Sequence, residues 1–297
     1  SHFGAIKEKI ARMATSCYVG ESANYRAAHD IELKINSLRQ EGLDHQKAEL
    51  KGVEEFAIEC SMIKVGTSED IQNCADDGIQ ILGGMGFSAD TPMESAWRDA
   101  RIGRIYEGTN EINRMLSVGM LFKKSMRGEL DLMKAVMDVT SKMSSEKSDE
   151  IIEPDQILSF ERQIIKNLKK IFLMISGYAF QKYGQELDKN QQALIGLSNI
   201  MIEIYFSESA ILRTLKNNQK GADIKYQIDM TSIYVFEATE IVIKSSKELI
   251  ANISKGNEQV NLMKRVQRLC SYDQIPDIIS LKNRVADRLI AEKQYCF

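Results

Sequence analysis

Proline is nearly absent from this chain, standing only at 92, 154 and 276 of 297 residues. Average usage is about 5%. Proline breaks helices and punctuates turns, so a chain that avoids it is free to form long helices and is ill suited to a many-turned β architecture. The apolar residues agree. Ile164, Leu168, Ile171, Ile175 and Tyr178 recur at spacings of four and three, and so do Leu194, Leu197, Met201, Ile204, Ile211 and Leu215, with Glu208 interrupting the stripe. That spacing lines one face of a helix and suits antiparallel bundles. The predicted fold class is all-α.

Composition then removes several functions. With 43% apolar and 27% charged residues the chain can bury a sizeable core. A net charge of -3 supplies no basic field for nucleic acid. The five cysteines (Cys17, Cys60, Cys74, Cys270, Cys296) are odd in number and form no CxxC pair, which argues against a disulfide framework or zinc site and for a reducing compartment. His2, His29 and His45 lack metal-ligand spacing with them, so no metal is expected. No uninterrupted apolar run reaches the ~18 residues of a membrane span. Ser1-His2-Phe3-Gly4 reads neither as a signal nor as a transit peptide, and a start without Met almost inside a helical pattern suggests a piece of a longer chain.

The pattern predicts helices over 4–38 and 47–82, the second broken at Gly66-Thr67-Ser68 with Thr67 or Ser68 as cap, and ended by Gly83-Gly84. Thr91-Pro92-Met93-Glu94 reads as a capping box with proline at the first helical position. That helix should stop at Ile102-Gly103. The next starts near Gly108, with Thr109 or Asn110 as cap and Glu111 complementing its positive end. The polar run 144–150 marks a boundary. Residues 1–125 form a first helical domain, 126–154 a linker with room for a helix at 130–143, and 155–297 a second antiparallel bundle with further helices over 224–253, 259–269 and 276–293.

Two features bear on function. Six glycines (78, 83, 84, 86, 103 and 108) crowd into one stretch. On spacing, Gly83-Gly84 is a helix end and turn; the alternative is a place where bare backbone approaches a flat or phosphorylated ligand. Glu107 stands between the Ile105-Tyr106 pair and a helix start. Desolvation would raise it towards a useful base, while pattern alone favours a solvated loop carboxylate with Arg98, Asp99 and Arg101 in surface ion pairs. Lys166, Lys169 and Lys170 beside the apolar side of 164–173 likewise have two readings, a membrane-surface helix or, more commonly, a bundle helix with a solvated face.

Three motifs in order, 80–87 (QILGGMGF), 98–102 (RDARI) and 106–112 (YEGTNEI), resemble landmarks of the acyl-CoA dehydrogenase family, and 3–13 (FGAIKEKIARM) resembles the start of that family's second C-terminal-domain helix. The likeness covers about residues 3–121. The helical continuation to 297 more distantly resembles the extra C-terminal region of the very-long-chain branch. The resemblance implies oxidation of a long-chain acyl-CoA to a trans-2-enoyl-CoA, with FAD as cofactor and an electron-transferring flavoprotein as partner. Glu107 matches the catalytic base. Tyr106, Glu107 and Gly108 match substrate-binding positions, the Glu107 N–H holding the thioester oxygen. Phe3, Gln80, Gly83, Gly84, Thr109 and Glu111 match flavin-contacting positions, although some relatives carry Gln where Glu111 stands. The Gln-Gly-Gly segment serves a neighbouring subunit's FAD in the family, which implies a dimer or higher homo-oligomer.

The family's N-terminal helical domain, central β-domain and first C-terminal-domain helix, with its flavin-contacting Arg, have no counterpart here. The isolated chain is therefore expected to bind FAD weakly or not at all and not to turn over acyl-CoA. The resemblance also raises a second reading, a helical module for respiratory-complex assembly or peripheral membrane association. It implies a cytoplasmic location in a bacterium and a mitochondrial one in a eukaryote.

Overall fold

The structure, a computed structural model, describes residues 2–144, 156–272 and 274–297. All regular elements among the described residues are helical. The first, α1 (Gly4–Gln40), runs unbroken for 37 residues. After a turn come α2 (His45–Glu55), capped by Asp44, and α3 (Ala57–Leu82). The break therefore falls at Phe56, not at Gly66-Thr67-Ser68, which lies inside α3. The hydroxyls of Thr67 and Ser68 bond back to the carbonyls of Ile63 (2.7 Å) and Val65 (3.0 Å), so they need no helix end. Gly66 is a crossing point: a Cβ there would lie 2.4 Å from Cζ of Phe206.

Gly83 ends α3 at φ 61°, as expected of a glycine at a helix C-terminus, and a single turn, α4 (Gly84–Phe87), follows. Pro92 opens α5 (Pro92–Ile102), but the capping box is not made. The Thr91 hydroxyl turns back to donate to the Met85 carbonyl at 2.7 Å, and Glu94 pairs with Arg98 one turn along. Thr109 caps α6 (Asn110–Met126), accepting from the Ile112 N–H. Then come α7 (Leu132–Ser144), α8 (Ser159–Tyr183), a 3-10 segment (Gly184–Lys189), α9 (Gln191–Gln219), α10 (Lys225–Ile253), α11 (Gly256–Leu269) and α12 (Ile278–Glu292). Residues 145–155, most of the expected polar boundary, lie outside the described residues.

Among the described residues two hydrophobic cores hold these helices, and both draw on chain from either side of that boundary. In one, Tyr18 and Val19 of α1 and Met62 and Val65 of α3 pack with Phe206 of α9, Met230 and Ile233 of α10 and Val285 of α12. In the other, Val118 and Phe122 of α6 pack with Leu168 and Ile175 of α8, Leu197 of α9 and Val242 of α10. The helix α9 is long and apolar enough to cross a membrane, yet most of that apolar stretch is buried among its neighbours. The apolar side of α8 is likewise consumed: Ile164, Ile165, Leu168, Ile171 and Phe172 are buried, and Lys169 pairs with Glu208. Glu208 also meets Arg26 at 3.1 Å; burial pushes its carboxyl up, but Lys169 and Arg26 outweigh that and hold it below its usual range. The interruption in the α9 stripe is an ion-paired edge.

Buried Asp77 joins α3 to α1, accepting from Lys9 Nζ and Arg12 Nε, each at 2.8 Å. Burial pushes its carboxyl up, and Arg12 followed by Lys9 more than offsets this, so it lies below the ordinary value. A depressed carboxyl contributes stability that is present above its unfolded pKa of ~3.9 and lost as pH falls towards the folded value. Asp77→Asn is expected to lower the melting temperature at pH 7 and to lose less than the wild type between pH 5 and 3. Circular dichroism melts across that range would show equal acid slopes if the pairing contributes nothing.

Candidate functional site

The segment between α5 and α6 is a tight loop built from unusual backbone. Glu107 (φ 55°) and Gly108 (φ 79°) are consecutive left-handed residues. Glycine adopts this region freely; a glutamate there carries strain of about 1–3 kcal/mol and needs the surroundings to hold it. Two side chains do so. Asn113, on α6, donates its amide to the carbonyls of Glu107 (3.2 Å), Gly108 (2.9 Å) and Thr109 (3.2 Å). Lys64, on α3, donates to the Gly108 carbonyl (2.7 Å) and to Asn110 Oδ1 (2.8 Å). Desolvation pushes the Lys64 ammonium below its ordinary value. Asn110 also reaches Ser68 and Glu69, so the start of α6 is stitched to α3. Spacing gives no hint of Lys64 or Asn113, because the loop they hold is assembled only when α6 packs on α3.

The loop forms one wall of a groove of about 450 Å³ between α3 and α5. Ile71, Ala96, Ala100, Gly103, Tyr106 and Glu107 line it. Asp99 also faces this groove and makes no ion pair among the described residues, as neither does Arg101, so of the three expected surface pairs only that of Arg98 is formed. Among the described residues no oxygen accepts from the Glu107 N–H. The Glu107 side chain is exposed, so the desolvation expected from Ile105 and Tyr106 does not occur: both neighbours are themselves about half exposed, at 48% and 55%.

The remaining predicted positions fall into two groups. Thr109 and Glu111 sit with Glu107 at the start of α6. The Glu111 carboxyl is held below its usual range by its own backbone N–H and then by the Thr109 hydroxyl, so it serves as a helix-start acid. Gln80, Gly83 and Gly84 lie at the far end of α3. Asn110 bonds Ser68, and 15 further residues of helix at about 1.5 Å each separate that contact from Gly83, roughly 20 Å. Phe3 belongs with this second group, because α1 runs antiparallel to α3 and its first turns meet Asp77. Around Gly83 and Gly84 nothing lies within 4 Å of where a side chain would be, so their backbone is open to a ligand. Phe3, Leu82, Met85 and Phe87 at this end are all exposed, as are Ile102, Ile105, Tyr106 and Ile112 around the loop. Apolar surface this extensive ordinarily marks an interaction face.

Two stretches of the chain, residues 1–119 and 167–268, match family profiles that are both described as the C-terminal domain of acyl-CoA dehydrogenase. A probable acyl-CoA dehydrogenase of Bacillus subtilis (strain 168) is 33% identical over 299 residues, covering 99% of this chain and 49% of that protein. A mitochondrial very long-chain specific acyl-CoA dehydrogenase of Rattus norvegicus is 38% identical over 114 residues, covering 38% of this chain and 15% of that protein. Among solved structures, an acyl-CoA dehydrogenase complexed with FAD from Bacillus anthracis superimposes with a TM-score of 0.95 at 33% identity, over 100% of this chain and 50% of that one. Acyl-CoA oxidase 1 of Yarrowia lipolytica, at 14% identity and a TM-score of 0.63, shares the fold. The chain thus spans about half the length of the Bacillus relatives.

Proposed function

The chain belongs to the acyl-CoA dehydrogenase family, and from that membership we propose that it works as the C-terminal helical region of an FAD-dependent oxidoreductase that converts a long-chain acyl-CoA to the trans-2-enoyl-CoA. The observation that carries this reading is the strained Glu107-Gly108 turn, held by Lys64 and Asn113 at the mouth of the groove. A residue whose backbone is held in a costly conformation by dedicated partners is the arrangement found where backbone strain serves chemistry.

In this reading Glu107 removes the α-proton of the thioester. Its N–H receives the thioester oxygen, where negative charge develops as the proton leaves. Gly108, without a side chain, lets the thioester come close to the turn. Lys64 and Asn113 orient the turn and do not touch substrate. The small side chains of Ala96, Ala100 and Gly103 leave room for an extended acyl chain. Bound FAD would supply the acceptor for the β-hydride.

Two observations suit the flavin: the open backbone at Gly83 and Gly84, and the Thr109 hydroxyl at the capped start of α6. The separation of these two groups along α3 supports a dimer or higher homo-oligomer in which each serves a different subunit's cofactor. The exposed apolar side chains at both places supply the surface to be covered. Electrons would then pass to an electron-transferring flavoprotein.

Anaerobic addition of a long-chain acyl-CoA to the complete enzyme is expected to bleach its flavin absorbance, with shorter acyl chains less effective. The 297-residue chain alone is expected to bind FAD weakly and to turn nothing over. Stoichiometric FAD on the isolated chain would refute the second expectation, and a flavin that no acyl-CoA bleaches would refute the first.

A further inference from the structure

Two of the five cysteines meet across the first helix pair. Antiparallel α1 and α3 are held in register by contacts on either side of them. Lys9 and Arg12 reach Asp77 at one end, and at the other Gly20 lies against Thr67, where a Cβ would stand 3.6 Å from the Thr67 methyl. Cys17 and Cys74 fall between. The Cys74 Sγ lies 4.0 Å from the Met13 carbonyl oxygen, one turn of α1 before Cys17, and the two thiols hydrogen-bond each other. We propose that Cys17 and Cys74 are a peroxide-reactive dithiol that closes reversibly to a disulfide and staples α1 to α3. The proposal does not depend on the reaction assigned to the groove.

The pair is asymmetric in the way this chemistry requires. Cys17 is exposed and Cys74 is half-buried. The hydrogen bond from Cys74 holds the Cys17 thiol below its ordinary value, against the opposing effects of burial, Glu21 and Asp70. Cys74 moves the other way. Its bond to Cys17 raises it first, then burial, then the charge of Cys17 and of Asp70 and Asp77, so it stays a protonated donor. An accessible cysteine biased towards the thiolate, with a second thiol in reach to resolve it, is the environment of redox-reactive cysteines. The other three lack it. Burial raises both Cys60 and Cys270, neither with a thiol beside it among the described residues, and Cys296 bonds Arg288.

The oxidant is a hydroperoxide, hydrogen peroxide in the simplest case. The Cys17 thiolate attacks one peroxide oxygen: an S–O bond forms, the O–O bond breaks, and the departing hydroxide takes the proton that the thiol gave up and leaves as water. Sulfur is oxidised to a sulfenic acid and the peroxide is reduced. The Cys74 sulfur then attacks the Cys17 sulfur: the S–S bond forms, the S–O bond breaks, and hydroxide leaves with the Cys74 proton as a second water. Two thiols and one peroxide give one disulfide and two waters. The first step eases the second, because a neutral sulfenic acid no longer carries the charge that helped keep the proton on Cys74. Exchange with a small thiol reverses the bond. A reducing compartment, where disulfides are transient and redox-sensing, suits such a pair.

The test is peptide mapping of the 297-residue chain after one equivalent of hydrogen peroxide, with the remaining thiols blocked. Trypsin leaves each cysteine in a different peptide, and a disulfide joining 13–26 to 65–98 is expected. Free thiols in the denatured chain should fall from five to three and return with dithiothreitol. The cross-linked chain should melt about 5 °C above the reduced one. Cys74→Ser, whose hydroxyl still donates, should stop the reaction at a Cys17 sulfenic acid that dimedone traps. In the reduced wild type Cys17 should be the first cysteine alkylated at neutral pH, a priority that Cys74→Ala should remove and a merely packed thiol would not show. The proposal is overturned if peroxide leaves Cys17 and Cys74 free, if the bond joins other cysteines or two chains, or if Cys17 is not the first to be alkylated. Mapping and alkylation of the wild type decide it even where a variant does not fold.

Discussion

Phe206→Ala is expected to lower the unfolding free energy of this chain by about 3–5 kcal/mol, the range for deleting a fully buried aromatic ring. The ring is 0% exposed and stands on α9, but its neighbours belong to the other end of the sequence. It covers the backbone of Gly66 on α3 so closely that a Cβ there would meet three ring carbons within 3.0 Å. Alanine at 206 removes the ring and leaves the glycine groove unfilled, and neither α3 nor α9 can slide into it because both are pinned elsewhere. The pins are the Tyr18–Thr214 hydroxyl contact at 2.8 Å between α1 and α9, and Arg114 with Glu69 and Asn199 between α6, α3 and α9.

Urea unfolding of the whole chain measures the effect. A lower midpoint with an unchanged slope is expected, since the same surface is exposed on unfolding. A loss under about 1 kcal/mol, or a transition that splits in two, would mean that the segments before and after 126–154 are stabilised separately. Gly66→Ala tests the contact from the other side: it should destabilise alone and be partly rescued by Phe206→Leu, which gives the new methyl space.

This contact marks the limit of what the sequence makes legible. Long apolar stripes such as 164–178 and 194–215 predict helices because the period of one chain segment is local information. The glycine at 83 is legible for the same reason: a helix end needs a left-handed residue nearby. Gly66 misleads, since a glycine within a helical pattern signals either a break or a close crossing, and only the ring of Phe206, 140 residues away, decides. Thr91-Pro92-Met93-Glu94 misleads more subtly. Its proline sets the helix start correctly, but the Thr91 hydroxyl has a better acceptor in the Met85 carbonyl, supplied by the preceding turn. In the candidate site the residue meant for chemistry is legible by resemblance, while Lys64 and Asn113 are not, because a positioning residue is defined by what it holds.

Glu107→Gln in the complete flavoenzyme is expected to slow flavin bleaching by roughly 10²–10⁴-fold, the usual contribution of a positioned base. Glutamine keeps the length and shape of the side chain but cannot take a proton. The Glu107 N–H and its clamp by Asn113 and Lys64 are backbone features and survive the change. Acyl-CoA binding should therefore be nearly unaltered, so the loss should appear in the rate at saturating substrate and not in the concentration needed to reach it. Stopped-flow bleaching separates the two, and normal bleaching by the glutamine variant would remove Glu107 from the role of base.

The backbone supplies a control that a merely structural residue would fail. Because φ at 107 is 55°, Glu107→Gly relieves strain. It should leave the isolated chain as stable as the wild type, or more stable by up to about 1 kcal/mol, after allowing for glycine's greater freedom when unfolded. If Glu107 served the fold, glycine would destabilise it. If it serves the chemistry, glycine stabilises or spares the fold while abolishing proton removal, and that opposition between stability and rate is the signature to look for.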